Sequence, residues 1–206
     1  MTAVRWALLP LAAAVFSAGE LQGQSAQAIS LQVSGLYNGV YGNVFSGLKN
    51  GLGGEAQIRY TPSALSIGAG FQITQHSRRP LPADPDPAAI RLYGGFIEPR
   101  YRIHTGSYVL APYLSARFSL LKAGFSGGDL SLTSTFMQLN AGGGLLYRLG
   151  PRLNFDVGAT FGYNRRGEGT LSGTTSNGTP IPPQSFEAES GTNIVVRLGL
   201  AVGLGG

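Results

Sequence analysis

Cysteine is absent and lysine nearly so: Lys49 and Lys122 are the only lysines in 206 residues. No thiolate metal centre and no disulfide framework can be built, although an exported protein need not carry disulfides, so the compartment stays open on this point. Charge as a whole is scarce. Asp, Glu, Lys and Arg make up 12% of the chain, against about 25–35% on the surface of a soluble domain. Something other than a charged surface must therefore keep the chain dispersed. The net charge of +5 comes from arginines scattered along the sequence, with no basic run beyond Arg78-Arg79 and Arg165-Arg166. Neither a recognition motif nor a clustered stripe is present, which excludes a nucleic-acid partner.

Titratable chemistry is equally thin. Of the two histidines, His76 falls where a predicted strand enters a long loop and His104 beside a short turn. Both read as exposed loop or turn residues, at opposite ends of the molecule. A hydrolase needs nucleophile, base and orienting group in contact, so no catalytic site is expected. No metal site is expected either, since no His pair occurs at ligand spacing. Gly142-Gly143-Gly144 is followed by neither a predicted helix nor a Walker-type lysine, so it is no phosphate loop. No cofactor is implied.

What is present begins with a leader. Arg5 precedes an apolar stretch, Trp6 to Phe16, broken by Pro10, and Ser25-Ala26-Gln27-Ala28 then offers an Ala-x-Ala cleavage site. This is the layout of a secretory signal peptide over 1–28. The stretch is too short to span about 30 Å of hydrocarbon as a helix.

From residue 29 the dominant period is two, as in strands. Leu65, Ile67, Ala69, Phe71 and Ile73 form one row, and Ser66, Gly68, Gly70, Gln72 and Thr74 the other. The same holds over Leu153–Asn164, and the C-terminal segment runs Ile194, Val196, Leu198, Leu200, Val202 and Leu204 on one row. Eight such segments are predicted, at 30–38, 53–60, 65–75, 90–104, 108–122, 132–149, 153–164 and 191–204. Short turns (61–64, 105–107, 150–152) alternate with longer Gly-, Pro-, Ser- and Thr-rich connections at 39–52, 76–89, 123–131 and 165–190. This is the pattern of an all-β, eight-stranded antiparallel up-and-down transmembrane barrel over 29–206.

Magnitudes decide which row meets lipid. An Arg on the lipid face at mid-membrane costs about 2–4 kcal/mol. The strand charges Glu55, Arg59, Glu98, Arg100, Arg102, Arg117, Arg148, Asp156 and Arg197 sit on the polar rows. Were those rows in lipid, the cost would exceed the stability of an ordinary domain. The polar rows therefore face inward, and these nine residues are the expected lumen charge network. Tyr37, Tyr60, Tyr101, Tyr147 and Tyr163 lie near strand ends on the outward rows, as interfacial aromatics do. A soluble lipocalin-like periplasmic barrel would turn the rows the other way. The Gly-, Ser-, Thr-, Gln- and Asn-rich rows suit a tight interior better than a water-facing exterior.

The C-terminal Arg197-Leu198-Gly199-Leu200-Ala201-Val202-Gly203-Leu204 resembles the last-strand signal read by the outer-membrane assembly machinery, with Leu204 in place of the usual terminal aromatic. Phe96-Ile97-Glu98-Pro99-Arg100-Tyr101, Ala111-Pro112-Tyr113-Leu114 and Leu153-Asn154-Phe155-Asp156-Val157-Gly158 are similar to segments of the outer-membrane-protein β-barrel domain family, the small eight-stranded OmpA- and OmpW-like barrels. The resemblance implies an outer-membrane location, outer-membrane lipids as surroundings and the assembly machinery as a partner through Arg197–Leu204. It leaves the role open, since the family includes structural barrels, adhesins and conduits.

Eight strands enclose a space that side chains can fill, so the inward charges are expected to pair as a plug: Glu98 with Arg117, and Asp156 with Arg148. Six arginines face three acids on these rows, so some must reach Tyr113, water or backbone carbonyls. The expected function is a structural or surface-interaction role in the outer membrane, carried by the long loops and an unidentified partner. The alternative is a porin-like passive conduit or a binding site for small apolar or anionic molecules.

Overall fold

A computed structural model of the chain describes residues 28–79, 89–127, 130–167, 169–174 and 180–204. The predicted leader, apart from Ala28, lies outside the described residues, as does most of the 76–89 connection. Among the described residues there are ten strands: β1 (Ile29–Tyr41), β2 (Leu48–Tyr60), β3 (Leu65–Arg78), β4 (Ile90–Arg102), β5 (Leu110–Gly127), β6 (Leu130–Arg148), β7 (Leu153–Arg166), β8 (Gly169–Thr174), β9 (Pro180–Phe186) and β10 (Glu189–Leu204). β1 pairs with β2 on one side and β10 on the other. Pairing then runs antiparallel through β3, β4, β5, β6 and β7 back to β10. Eight strands thus close an up-and-down barrel, and closure leaves no open edge along the shared ladder.

The two rows take the faces that the lipid argument requires. Leu139, Leu52 and Phe161 on the apolar rows stand exposed, while Glu55, Gln57, Glu98, Asp156 and Asn193 on the polar rows are buried. Tyr60, Tyr101 and Tyr147 ring the barrel outside at the short-turn end, and Tyr37, Tyr93 and Tyr163 ring it near the long-loop end. Between the two girdles lies a continuous apolar belt, which is the outer surface of a transmembrane barrel. Arginine in place of Leu139, at the middle of the outer row of β6, is expected to destabilise the barrel by about 2–4 kcal/mol. Urea unfolding in phospholipid vesicles checks this, with an Arg at exposed Tyr108 in the β4–β5 turn as the neutral control.

The long-loop end differs from the sequence expectation in three places besides β3, which runs on to Arg78. In the first connection, β1 runs on to Tyr41 and β2 begins at Leu48, with one turn of 3-10 helix, Asn43–Phe45, between them. Gly42 and Gly47 bracket that turn at φ +94° and +82°, a region side chains disfavour, and so let it fold back into the barrel mouth. In the second, β5 and β6 continue as a ladder up to Gly127 and Leu130, beyond the bounds read from the sequence. In the third, the stretch read as a flexible loop at 165–190 carries β8 and β9, which pair with each other, and β8 also pairs along β6 from Leu130 to Thr133. The reason is an edge. β6 meets β7 only from Phe136 onward, so its overhang has backbone groups that β8 satisfies.

Candidate functional site

The lumen is filled in layers. At its centre the inward rows of β2, β4, β5, β7 and β10 bring together Glu55, Glu98, Arg100, Arg117, Asp156 and Arg197, with Arg59 just beyond. Glu98 is the hub, with no exposed surface. Its carboxylate accepts from Arg117 at 2.6 Å, from Arg197 at 2.9 and 3.1 Å and from Arg100 at 3.0 Å, and it lies 3.6 Å from Arg59. Arg117 also donates to Glu55 at 2.6 Å, and Asp156 lies 3.0 Å from Arg100 and 3.3 Å from Arg197. The guanidinium of Arg117 covers the Phe96 ring and that of Arg100 the Tyr113 ring, at 4.0 and 4.5 Å, adding cation–π attraction.

The pairing of Glu98 with Arg117 is the one read from the sequence; that of Asp156 with Arg148 is not formed. Arg148 stands at the short-turn rim, half-buried, where its Nε donates to the carbonyl of Gly150 at 3.3 Å. Asp156 is opposite Leu146 in the ladder, so Arg148 lies one step further toward the rim. Asp156 instead turns to the lumen centre and accepts from Gln32 and from the Tyr113 hydroxyl, both at 2.6 Å. Arg102, at the end of β4, is also half-buried near the rim. The central cage therefore holds four arginines and three carboxylates, not six and three. Arg59 also donates to Ser66, Gln57 and the carbonyl of Glu98 through its two terminal nitrogens.

Tyr113 fits because two neighbours lack side chains. A Cβ on Gly144 or on Gly158 would run into its hydroxyl. These inward glycines are what lets a residue as large as Tyr113 lie across so narrow a barrel.

Toward the long-loop end follows a layer of amides. Asn193 accepts from Asn140 and Asn164, each at 2.9 Å, and donates to Asn38 at 3.1 Å. His76 belongs to this layer. The sequence places it in an exposed loop, but β3 extends past it, and on the inward row it has no exposed surface. Its ring nitrogens lie 3.1 Å from the Lys49 carbonyl and 3.1 Å from the Thr74 hydroxyl. His104 is exposed near the β4–β5 turn, at the other end.

Above the amides the lumen turns apolar, which the sequence reading missed. Val40, Leu92, Leu121, Ala123 and Phe136 point inward from the strands and pack with Val44 and Phe45 of the 3-10 turn. The Phe45 and Phe136 rings stack with centroids 6.0 Å apart. The signal was there as adjacent apolar pairs that break the alternation. In Leu92-Tyr93, Leu120-Leu121 and Phe136-Met137 one member faces lipid and its neighbour the lumen.

These layers define the class: a small transmembrane β-barrel with a packed interior. Among solved structures the chain is similar to neisserial surface protein A (18% identity, TM-score 0.59, covering 86% of this chain and 97% of that one). It is also similar to the outer membrane protein OprG from Pseudomonas aeruginosa (11% identity, TM-score 0.58, covering 89% and 98%). A major outer membrane protein from Thermus thermophilus matches at 16% identity and TM-score 0.54, over 85% and 99%. No protein-family model and no curated protein sequence matches the chain. The fold is that of small outer-membrane barrels, and with the girdled apolar belt outside and the charged cage inside, the chain is an integral outer-membrane β-barrel.

Proposed function

We propose that this barrel is closed to through-passage and works at its long-loop end, in a structural and surface-interaction role. The observation that carries the reading is the central cage: seven charged side chains from five strands, each nearly or fully buried, occupy the cross-section. Opening a path would require separating buried ion pairs, and a buried charge left without its partner is strongly unfavourable. The amide layer and the apolar plug lie in series above it. The same contents argue against an enzyme. Among the described residues, His76 is held by Lys49, Thr74 and Asn38, and His104 sits at the far end. The strand Arg197–Leu204 forms the seam with β1, a placement consistent with its being the segment that the assembly machinery reads.

Purified barrel in planar bilayers is expected to give no stepwise single-channel currents, and vesicles containing it no sugar-dependent swelling. Discrete conductance steps at low voltage would overturn the sealed reading and establish the conduit.

A further inference from the structure

Above the apolar plug the mouth of the barrel is not filled. A cavity of about 350 Å³ opens there toward the loop side. Its floor is Leu92, Ala123 and Phe136, all buried, and its sides include Val44, Leu48 and Ile90. Three guanidinium groups, Arg78, Arg79 and Arg166, stand among its described lining residues, and Arg166 is also paired with Glu189 at 2.8 Å. We infer that this cavity is a blind binding site for a single-chain amphiphile with an anionic head group, of the kind a medium-chain carboxylate represents.

Three features select that chemistry. The floor and sides are apolar and lie inside a barrel whose other layers are polar, so the apolar lining answers to something other than lipid outside. Each methylene of a chain laid there leaves water, so binding strengthens with chain length. The volume is at the small end of the range of about 300–1,000 Å³ for small-molecule pockets, which suits one chain and not a two-chain phospholipid. The cations stand on the ends of β3 and β7 with the chain-lining residues below them, so head and tail have separate places. Guanidinium groups bind carboxylate and phosphate oxygens through paired N–H donors, and the arginines therefore choose an anion over an alcohol or an amine. The site is blind because the plug and cage below it are closed; to that extent the inference rests on the sealed reading.

The test titrates the full barrel, in nanodiscs with its methyl groups labelled, with decanoate, decanol and butyrate. Saturable shifts of the Leu48, Ile90 and Leu92 methyls are expected with decanoate. Decanol and an Arg78→Gln/Arg79→Gln variant should bind about tenfold more weakly, in line with the loss of a charge-assisted hydrogen bond. Ala123→Phe, which fills the floor, should abolish the shifts; if that variant does not fold, Leu48→Trp at the side of the mouth serves instead. Decyl phosphate in a parallel arm tells carboxylate from phosphate preference. Absence of saturable shifts, equal response to decanol and decanoate, or shifts that survive the blocking variant would each overturn the inference. Conductance measured on the same sample separates the two readings: binding in a conducting barrel would overturn the sealed lumen alone, and no binding in a silent barrel would overturn the pocket alone.

Discussion

Glu98→Gln is expected to destabilise the barrel by at least about 3–5 kcal/mol, the cost of removing one partner from a buried ion pair. The substitution is nearly isosteric, so packing is kept and the electrostatics are isolated. Both carboxylate oxygens of Glu98 are engaged, by Arg100 and Arg197 on one and by Arg117 and Arg197 on the other. An amide supplies one acceptor and turns an NH2 group toward guanidinium donors. Glu55 and Asp156 would remain as the only carboxylates facing Arg59, Arg100, Arg117 and Arg197. The surplus in the cage rises from one positive charge to two, among side chains that are all buried. Heat-modifiable migration and urea unfolding in vesicles read the effect. The control is Glu189→Gln, which removes the partner of Arg166 at the rim, where both side chains reach solvent and a pair is worth about 0–1 kcal/mol. A Glu98→Gln barrel as stable as the wild type would mean that the cage does not hold the fold together.

Much of this architecture was legible in the sequence because lipid inverts the usual rule. A barrel strand in a membrane must show an unbroken apolar row outward, and Leu65–Ile73 or Ile194–Leu204 can be read on no other period. Pairing across one hairpin was also within reach: Glu98 and Arg117 sit on neighbouring strands joined by a short turn. Contacts across the lumen were not. Arg197 on β10 reaches Glu55 on β2 and Glu98 on β4. Nothing local places them at one height, since that depends on how the ladder staggers around the closed barrel. The rim misleads for a related reason. Composition marks 165–190 as a loop because Gly, Thr and Pro together suggest turns more than a regular strand, yet the exposed overhang of β6 recruits part of it as β8. His76 is misplaced by the same few residues of extra strand. The apolar plug is hidden by the inversion itself, since an apolar residue in a strand reads as facing lipid, and Leu121 and Phe136 face the interior.

Arg197→Met should show whether the cage is one coupled unit. Arg197 touches all three acids, at 2.9 Å to Glu98, 3.3 Å to Asp156 and 3.5 Å to Glu55, and donates to the Tyr113 hydroxyl at 2.9 Å. Losing those bonds is expected to cost about 3–5 kcal/mol, but removing a cation also relieves the repulsion it exerts on Arg100 and Arg59. The single substitution should therefore be milder than Glu98→Gln, and Arg59→Gln, which removes the most distant cation, milder again. The decisive measurement is the double variant. Glu98→Gln together with Arg197→Met returns the cage to the wild-type surplus of one positive charge. Its loss of stability should fall short of the sum of the two single losses by about 0.5–3 kcal/mol, the range for residues in direct contact. Strict additivity in urea unfolding would mean that the two side chains do not sense each other, and that the lumen is held by separate pairs around its wall, not by a common cage.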